Sequence, residues 1–153
     1  MDKVSSILFV CLGNICRSPL AHGIARELIK SKNLNIKVDS AGVSGYHQGE
    51  RPHINSMNLA RKNNFDISDL ASRKINLDDN EIFNMIIVMD TSNYEALIKM
   101  GFEKNKLSKL GDFGLGGVDI PDPYYMDESG YENIYKMIEN ATKNLISFIA
   151  KTN

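Results

Sequence analysis

The sequence predicts an α/β protein of three layers, α/β/α, built on a small parallel sheet of about four strands. Two observations predict it. Short apolar and β-branched runs recur at residues 5–10, 36–41, 85–89 and 106–110, and stretches of helical periodicity lie between them. Strands that alternate with helices pair in parallel, because each helix carries the chain back to the same end of the sheet. Such sheets are covered on both faces, so their central strands read as continuous apolar runs.

Ile7-Leu8-Phe9-Val10 is such a run and makes the first strand central. Ser18 before Pro19 predicts a helix start, a capping hydroxyl followed by proline at the first helical position. Leu20, Ile24 and Leu28, with Ala21, Ala25 and Ile29, carry that helix to about Lys32. Residues 33–35 make a turn, and the strand at 36–41 ends at Gly42. Residues 42–52 hold Gly42, Gly45, Gly49 and Pro52 and form a loop. A helix over 53–63 has a thin apolar stripe in Met57 and Ala60. Residues 70–84 show no clear period beyond a short helical turn near 77–81. Met85-Ile86-Ile87-Val88-Met89 is the clearest later strand. Ser92 with Glu95 has the spacing of a capping box and opens a helix through Tyr94, Leu97 and Ile98. After the fourth strand, the glycines and prolines of residues 111–123 make a loop. Ile134, Ile138, Ala141, Leu145 and Phe148 define a strong final helix.

No repeat or linker divides the chain, so residues 1–153 are expected to form one domain, long enough to bury a core without staples. A net charge of -1 argues against nucleic-acid binding, which needs a basic surplus. No run approaches the roughly 18 apolar residues of a membrane span. Met1-Asp2-Lys3 passes straight into the first strand without a visible leader. Two cysteines do not make a secreted disulfide scaffold. A reducing, cytoplasmic setting and a monomer or weak dimer are expected.

The chemistry concentrates in Cys11-Leu12-Gly13-Asn14-Ile15-Cys16-Arg17-Ser18-Pro19, between the first strand and the first helix. A free thiol is only a few per cent thiolate at neutral pH, and the thiolate is the nucleophile. The permanent cation of Arg17, the positive end of the helix and a nest of amides from Leu12 to Ser18 all favour an anion here. Arg17 offers a planar fork that matches two phosphate oxygens. Gly13 and Asn14 tolerate the left-handed backbone that such a curl demands. The segment therefore reads as a phosphate-binding loop, at the C-terminal end of the first strand, with a nucleophile built in. It lacks the G-x-x-x-x-G-K-[ST] pattern of a nucleotide loop. An acid partner is less legible, because Asp112, Asp119, Asp122 and Asp127 all lie in one loop-rich region.

VCLGNICRSP, residues 10–19, resembles the signature of the low-molecular-weight protein tyrosine phosphatases. Asp122-Pro123-Tyr124-Tyr125 resembles the family's second motif, and Ser40-Ala41-Gly42 and Met89-Asp90 resemble further landmarks. The resemblance implies phosphotyrosine hydrolysis with no metal or other cofactor, releasing inorganic phosphate from phosphotyrosine-containing proteins. Cys11 would be the nucleophile and Arg17 the phosphate clamp. Asp122 would be general acid, then base. Ser18 would bond the sulfur and Asn14 hold the loop open. Leu12, Gly13, Ile15 and Cys16 would complete the loop, and Tyr46, Tyr124 and Tyr125 would flank the substrate ring.

Related proteins with this loop reduce arsenate or dephosphorylate phosphoarginine. Arsenate reductases of this type need resolving cysteines that this chain lacks. Arginine phosphatases resemble one another in a threonine where Ile15 stands, and Ile15 with the tyrosine pair favours an aryl phosphate. A binding module without catalysis is a third reading. Cys16 reads either as buried filler or as a redox partner that shields Cys11. Tyr124 and Tyr125 read as pocket walls or as kinase targets. Two departures stand out. Leu70 replaces a histidine that supports the loop asparagine in relatives, leaving Ser40 as the expected support. His22 stands where an acidic residue is common. His22, His47 and His53 are expected to be solvated, with His47 and His53 placed to influence specificity.

Overall fold

A computed structural model describes residues 3–153. The chain runs β1 (Ser6–Cys11), α1 (Arg17–Ser31), β2 (Lys37–Gly42), α2 (Ile54–Lys62), α3 (Asp79–Ile82), β3 (Met85–Val88), α4 (Thr91–Met100), β4 (Leu107–Lys109) and α5 (Glu128–Thr152). The four strands form one sheet in the order β2-β1-β3-β4, and every pairing is parallel. The expected three-layer α/β/α arrangement is what the chain adopts.

The alternation of side chains along β1 divides the core in two. Ile7, Phe9 and Cys11 pack with α1 and α5, through Leu20, Ile24, Ile138 and Leu145. Leu8 and Val10 pack on the other face with Ile86, Val88, Leu97 and Phe102. Ile7, Leu8, Phe9 and Val10 are all fully buried, and such burial contributes about 1.5–3 kcal/mol per side chain. The strand that ends in Cys11 is thus a rigid platform.

The chain leaves β1 for β2 on one side and reaches β3 on the other, so a topological switch point lies at the ends of these strands, where such sheets bind ligands. Cys11 is in register with Gly42, and Val10 with Val88. Gly42 has a steric reason. A Cβ there would lie 2.9 Å from the Leu12 carbonyl oxygen and 3.0 Å from the Gly13 carbonyl carbon. No helix among the described residues is long and apolar enough to cross a membrane.

Several local expectations give way. Helix α1 begins at Arg17, with Cys16 at the cap position and no side-chain cap, because the Ser18 hydroxyl is engaged by the loop instead. Asp90, not Ser92, caps α4, accepting the Asn93 N–H at 2.8 Å. Asp90 follows β3 so closely that its extended backbone makes the turn first, which leaves Ser92 exposed in the first helical turn. In α5 the core position falls on Ile149, whereas Phe148 is partly exposed beside Phe113. In the loop only Asn14 is left-handed, at φ 57°. Gly13 instead permits close approach, since a Cβ there would meet the His47 ring at 3.0 Å.

Candidate active site

The loop after β1 is held from outside by its carbonyls. The amides of Val43, Ser44 and His53 donate to the carbonyls of Cys11, Leu12 and Ile15, at 2.9, 2.8 and 2.8 Å. Ser72 and Ser56 hydroxyls donate to the carbonyls of Gly13 and Cys16, at 2.9 and 3.0 Å. In a trans peptide the N–H points opposite to the C=O. The loop amides are therefore turned inward, and the Asn14 N–H does reach the Cys11 sulfur, at 3.3 Å.

The sulfur has a second partner. Ser18 Oγ lies 3.0 Å from Cys11 Sγ, and the Asn14 side-chain amide donates to that same hydroxyl at 2.7 Å. The Ser18 hydroxyl accepts from Asn14 and keeps its own proton free to donate to a thiolate at Cys11. Asn14 is fixed in turn by the Arg73 N–H, which donates to its side-chain oxygen at 3.0 Å. This corrects the expected support. Ser40 is paired with His22, Oγ to Nδ1 at 2.9 Å, and Leu70 packs against the core. A backbone donor holds Asn14 and needs no special side chain. Arg73 itself is anchored by Asp39 and Asp79.

Arg17 is 1 % exposed. Its Nη1 donates to Asp90 Oδ2 and to the Ile120 carbonyl, both at 2.7 Å. Burial alone would lower its pKa, but the negative charge at Cys11, Asp90 and Asp122 holds it above the ordinary arginine value. The opposite edge stays open: Nε has no hydrogen-bond partner, and Nη2 is 3.7 Å from Asp122 Oδ2. Asp122 Oδ1 accepts the Tyr124 N–H at 3.1 Å. Burial pushes the Cys16 thiol up to about 12, so it stays protonated at neutral pH and is a poor nucleophile.

Cys11, Leu12, Gly13, Ile15, Cys16 and Arg17 form the base of a cleft of about 410 Å³, with Asp122, Tyr46, Tyr124 and Tyr125 around it. Asn14 and Ser18 are buried and act on the sulfur rather than lining the cleft. Tyr46 and Tyr125 are 84 % and 95 % exposed, so they form an outer rim, whereas Tyr124 is the nearer wall. Ser44, which was not expected, also lines the cleft, as does His47, one of the two histidines expected to influence specificity. His47 Nδ1 donates to Glu50 Oε2 at 2.9 Å, and its ring meets Tyr46 edge-on. Asp90 was legible only as a landmark, yet its place at the end of β3 beside the switch point was a usable signal. His22 corrects the expectation of solvated histidines: it is 6 % exposed, and burial depresses its pKa to about 4.

Residues 6–153 match the family model for low molecular weight phosphotyrosine protein phosphatase. The low molecular weight protein-tyrosine-phosphatase YfkJ of Bacillus subtilis is 37% identical over 152 residues, covering 95% of this chain and 96% of YfkJ. Its crystal structure superposes with a TM-score of 0.91 over 99% of this chain and 98% of that one, at 35% identity. A protein tyrosine phosphatase from Entamoeba histolytica gives a TM-score of 0.89 at 33% identity, over 97% and 98% of the two chains. An arginine phosphatase from Drosophila gives 0.85 at 28% identity, over 93% and 96%. The chain belongs to the low molecular weight phosphotyrosine protein phosphatase family.

Proposed function

We propose that this phosphatase hydrolyses phosphotyrosine in proteins, and small aryl phosphates, through a phosphocysteine on Cys11. The Cys11 thiolate attacks phosphorus in line with the leaving group, forming the S–P bond as the P–O bond to the phenol breaks. Asp122 gives its proton to the departing oxygen. The open edge of Arg17 and the inward amides take the equatorial oxygens, whose charge spreads in the transition state. Asp122, now a carboxylate, removes a proton from water as the water attacks phosphorus. The S–P bond breaks, returning the thiolate, which Ser18 stabilises, and releasing inorganic phosphate.

The observation that carries this reading is the bridging position of Arg17. One buried guanidinium belongs to the Cys11 loop and also reaches Asp122 across 3.7 Å. Nucleophile, clamp and acid thus share one cleft. Tyr46, Tyr124 and Tyr125 give that cleft an aromatic mouth suited to an aryl ester.

A second reading, arginine phosphatase activity, draws on the likeness to the Drosophila enzyme. Ile15 and the tyrosine walls favour the first. Wild type and Cys11→Ser would be compared on peptides carrying phosphotyrosine, phosphoarginine or phosphoserine. The proposal expects phosphotyrosine turnover that the variant abolishes. Preference for phosphoarginine would support the second reading, and equal inactivity of both proteins would leave a binding module. The same proposal takes residues 1–153 as one domain, acting in the cytoplasm as a monomer or weak dimer.

A further inference from the structure

His53 stands where three parts of the site meet. It is the cap residue of α2, and its Nδ1 accepts the Asn55 N–H at 3.1 Å. That bond requires an unprotonated Nδ1, and burial and the neighbouring His47 both lower the His53 pKa. Its own backbone N–H donates to the Ile15 carbonyl of the phosphate loop at 2.8 Å. Its ring is stacked on Tyr131 of α5, with centroids 5.5 Å apart and planes at 29°. The same ring also meets Tyr124 in an edge-to-face pair, at 5.6 Å and 72°.

The two tyrosines are held very differently. Tyr131 is 1 % exposed, and its hydroxyl is 2.6 Å from Ser56 Oγ, which also binds the Cys16 carbonyl. It is a fixed surface. Tyr124 lies in the segment 121–126, where only Pro123 is buried. Among the described residues, the hydrogen bonds of this segment are internal, Tyr124 N–H to Asp122 and Met126 N–H to the Pro123 carbonyl. Besides the burial of Pro123, its links to the rest of the chain include the 3.7 Å approach of Arg17 to Asp122 and the ring contacts of Tyr124 with His53 and His47. The Tyr124 amide in turn holds the Asp122 carboxylate.

We infer that His53 is a positioning residue: its ring bridges Tyr124 to Tyr131 and so fixes the Asp122-bearing segment over the phosphate loop. The inference rests on the reading of Asp122 as general acid. His53 does not line the cleft, so it acts through Tyr124 rather than on substrate. Aromatic pairs of this kind contribute beyond their buried area, and a shift of about 1 Å in a catalytic group is enough to slow a reaction severely.

Two variants separate the roles of the side chain. His53→Asn keeps a good cap and removes the ring; His53→Phe keeps a ring and removes the cap. Each would be compared with wild type and Asp122→Asn for kcat/KM on phenyl phosphate, whose leaving group needs a proton, and on p-nitrophenyl phosphate, whose leaving group needs little. Amide hydrogen exchange would be read at Tyr124 and Met126. The inference expects His53→Asn to lower the phenyl-to-nitrophenyl ratio about tenfold, a partial loss of acid catalysis, and to speed exchange in this segment. His53→Phe keeps both near wild type even if its melting temperature falls. Unchanged exchange and an unchanged ratio in His53→Asn would overturn it, as would equal changes in both variants. If Asp122→Asn leaves the ratio unaltered, the acid assignment fails, and the exchange rates alone decide whether His53 holds the segment.

Discussion

Asp90 holds Arg17 by a 2.7 Å ion pair and, with its other carboxylate oxygen, caps α4. One side chain thus orients the phosphate clamp and starts the helix behind it. Breaking a buried pair leaves an uncompensated charge, so the two functions need different probes. Asp90→Asn keeps a residue type that caps well and loses the charge. The expected result is a kcat/KM lower by about 10- to 100-fold, the loss of about 1.5–3 kcal/mol from a charged hydrogen bond, with a modest change in melting temperature. Asp90→Ala loses the cap too and melts lower. Steady-state kinetics and thermal melts of both variants check this. Equal activity in wild type and Asp90→Asn would mean that Arg17 is positioned without it.

Asn14 combines a left-handed backbone with hydrogen bonds to Ser18, Arg73 and the Cys11 sulfur. Asn14→Gly restores the backbone freedom but removes the side-chain bonds, and Asn14→Ala removes both. Glycine is the default residue in this conformation, so Asn14→Gly should be the more stable variant by about 1 kcal/mol. Both should lose activity, because Ser18 is no longer turned toward the sulfur. Urea midpoints with parallel kinetics test this pair. An active Asn14→Gly would show that the backbone curl alone suffices.

His22 makes stability depend on pH. Its folded pKa of about 4 lies below the ordinary 6.5, chiefly through burial. Between those values the unfolded chain binds a proton that the folded chain does not, so stability rises with pH across that window. The contribution is complete above about pH 6.5 and is lost as the pH falls toward 4, by up to about 3 kcal/mol. His22→Gln should flatten that part of the curve. Urea denaturation at about pH 7 and about pH 4.5 reads the difference, and parallel wild-type and variant curves would contradict it.

What the sequence reveals follows from how local each cause is. Ile7 to Val10 declare a buried strand by themselves, and the Cys11–Pro19 loop carries its chemistry in adjacent residues. The non-local partners are not declared. Ser18 beside Pro19 looks like a cap, and only the folded position of Asn14 turns its hydroxyl to the sulfur. His22 looks polar and solvated until Ser40 is brought to it from β2. The expected role of Ser40 at Asn14 failed because a backbone N–H, invisible in any motif, does that work. Asp122 among four nearby aspartates was separable by resemblance alone. Its approach to Arg17 is a long-range contact that no local pattern encodes.

The central claim is that Cys11 carries the phosphoryl group between two steps that share Asp122. The most direct measurement uses Asp122→Asn with p-nitrophenyl phosphate. Its leaving group needs little protonation, so the first step proceeds while the second lacks its base. After rapid acid quenching, peptide mass spectrometry should find one phosphate, localised to Cys11 and absent from Cys16, accumulating before steady state. Turnover with no phosphoenzyme, or phosphate on any other residue, would contradict the account.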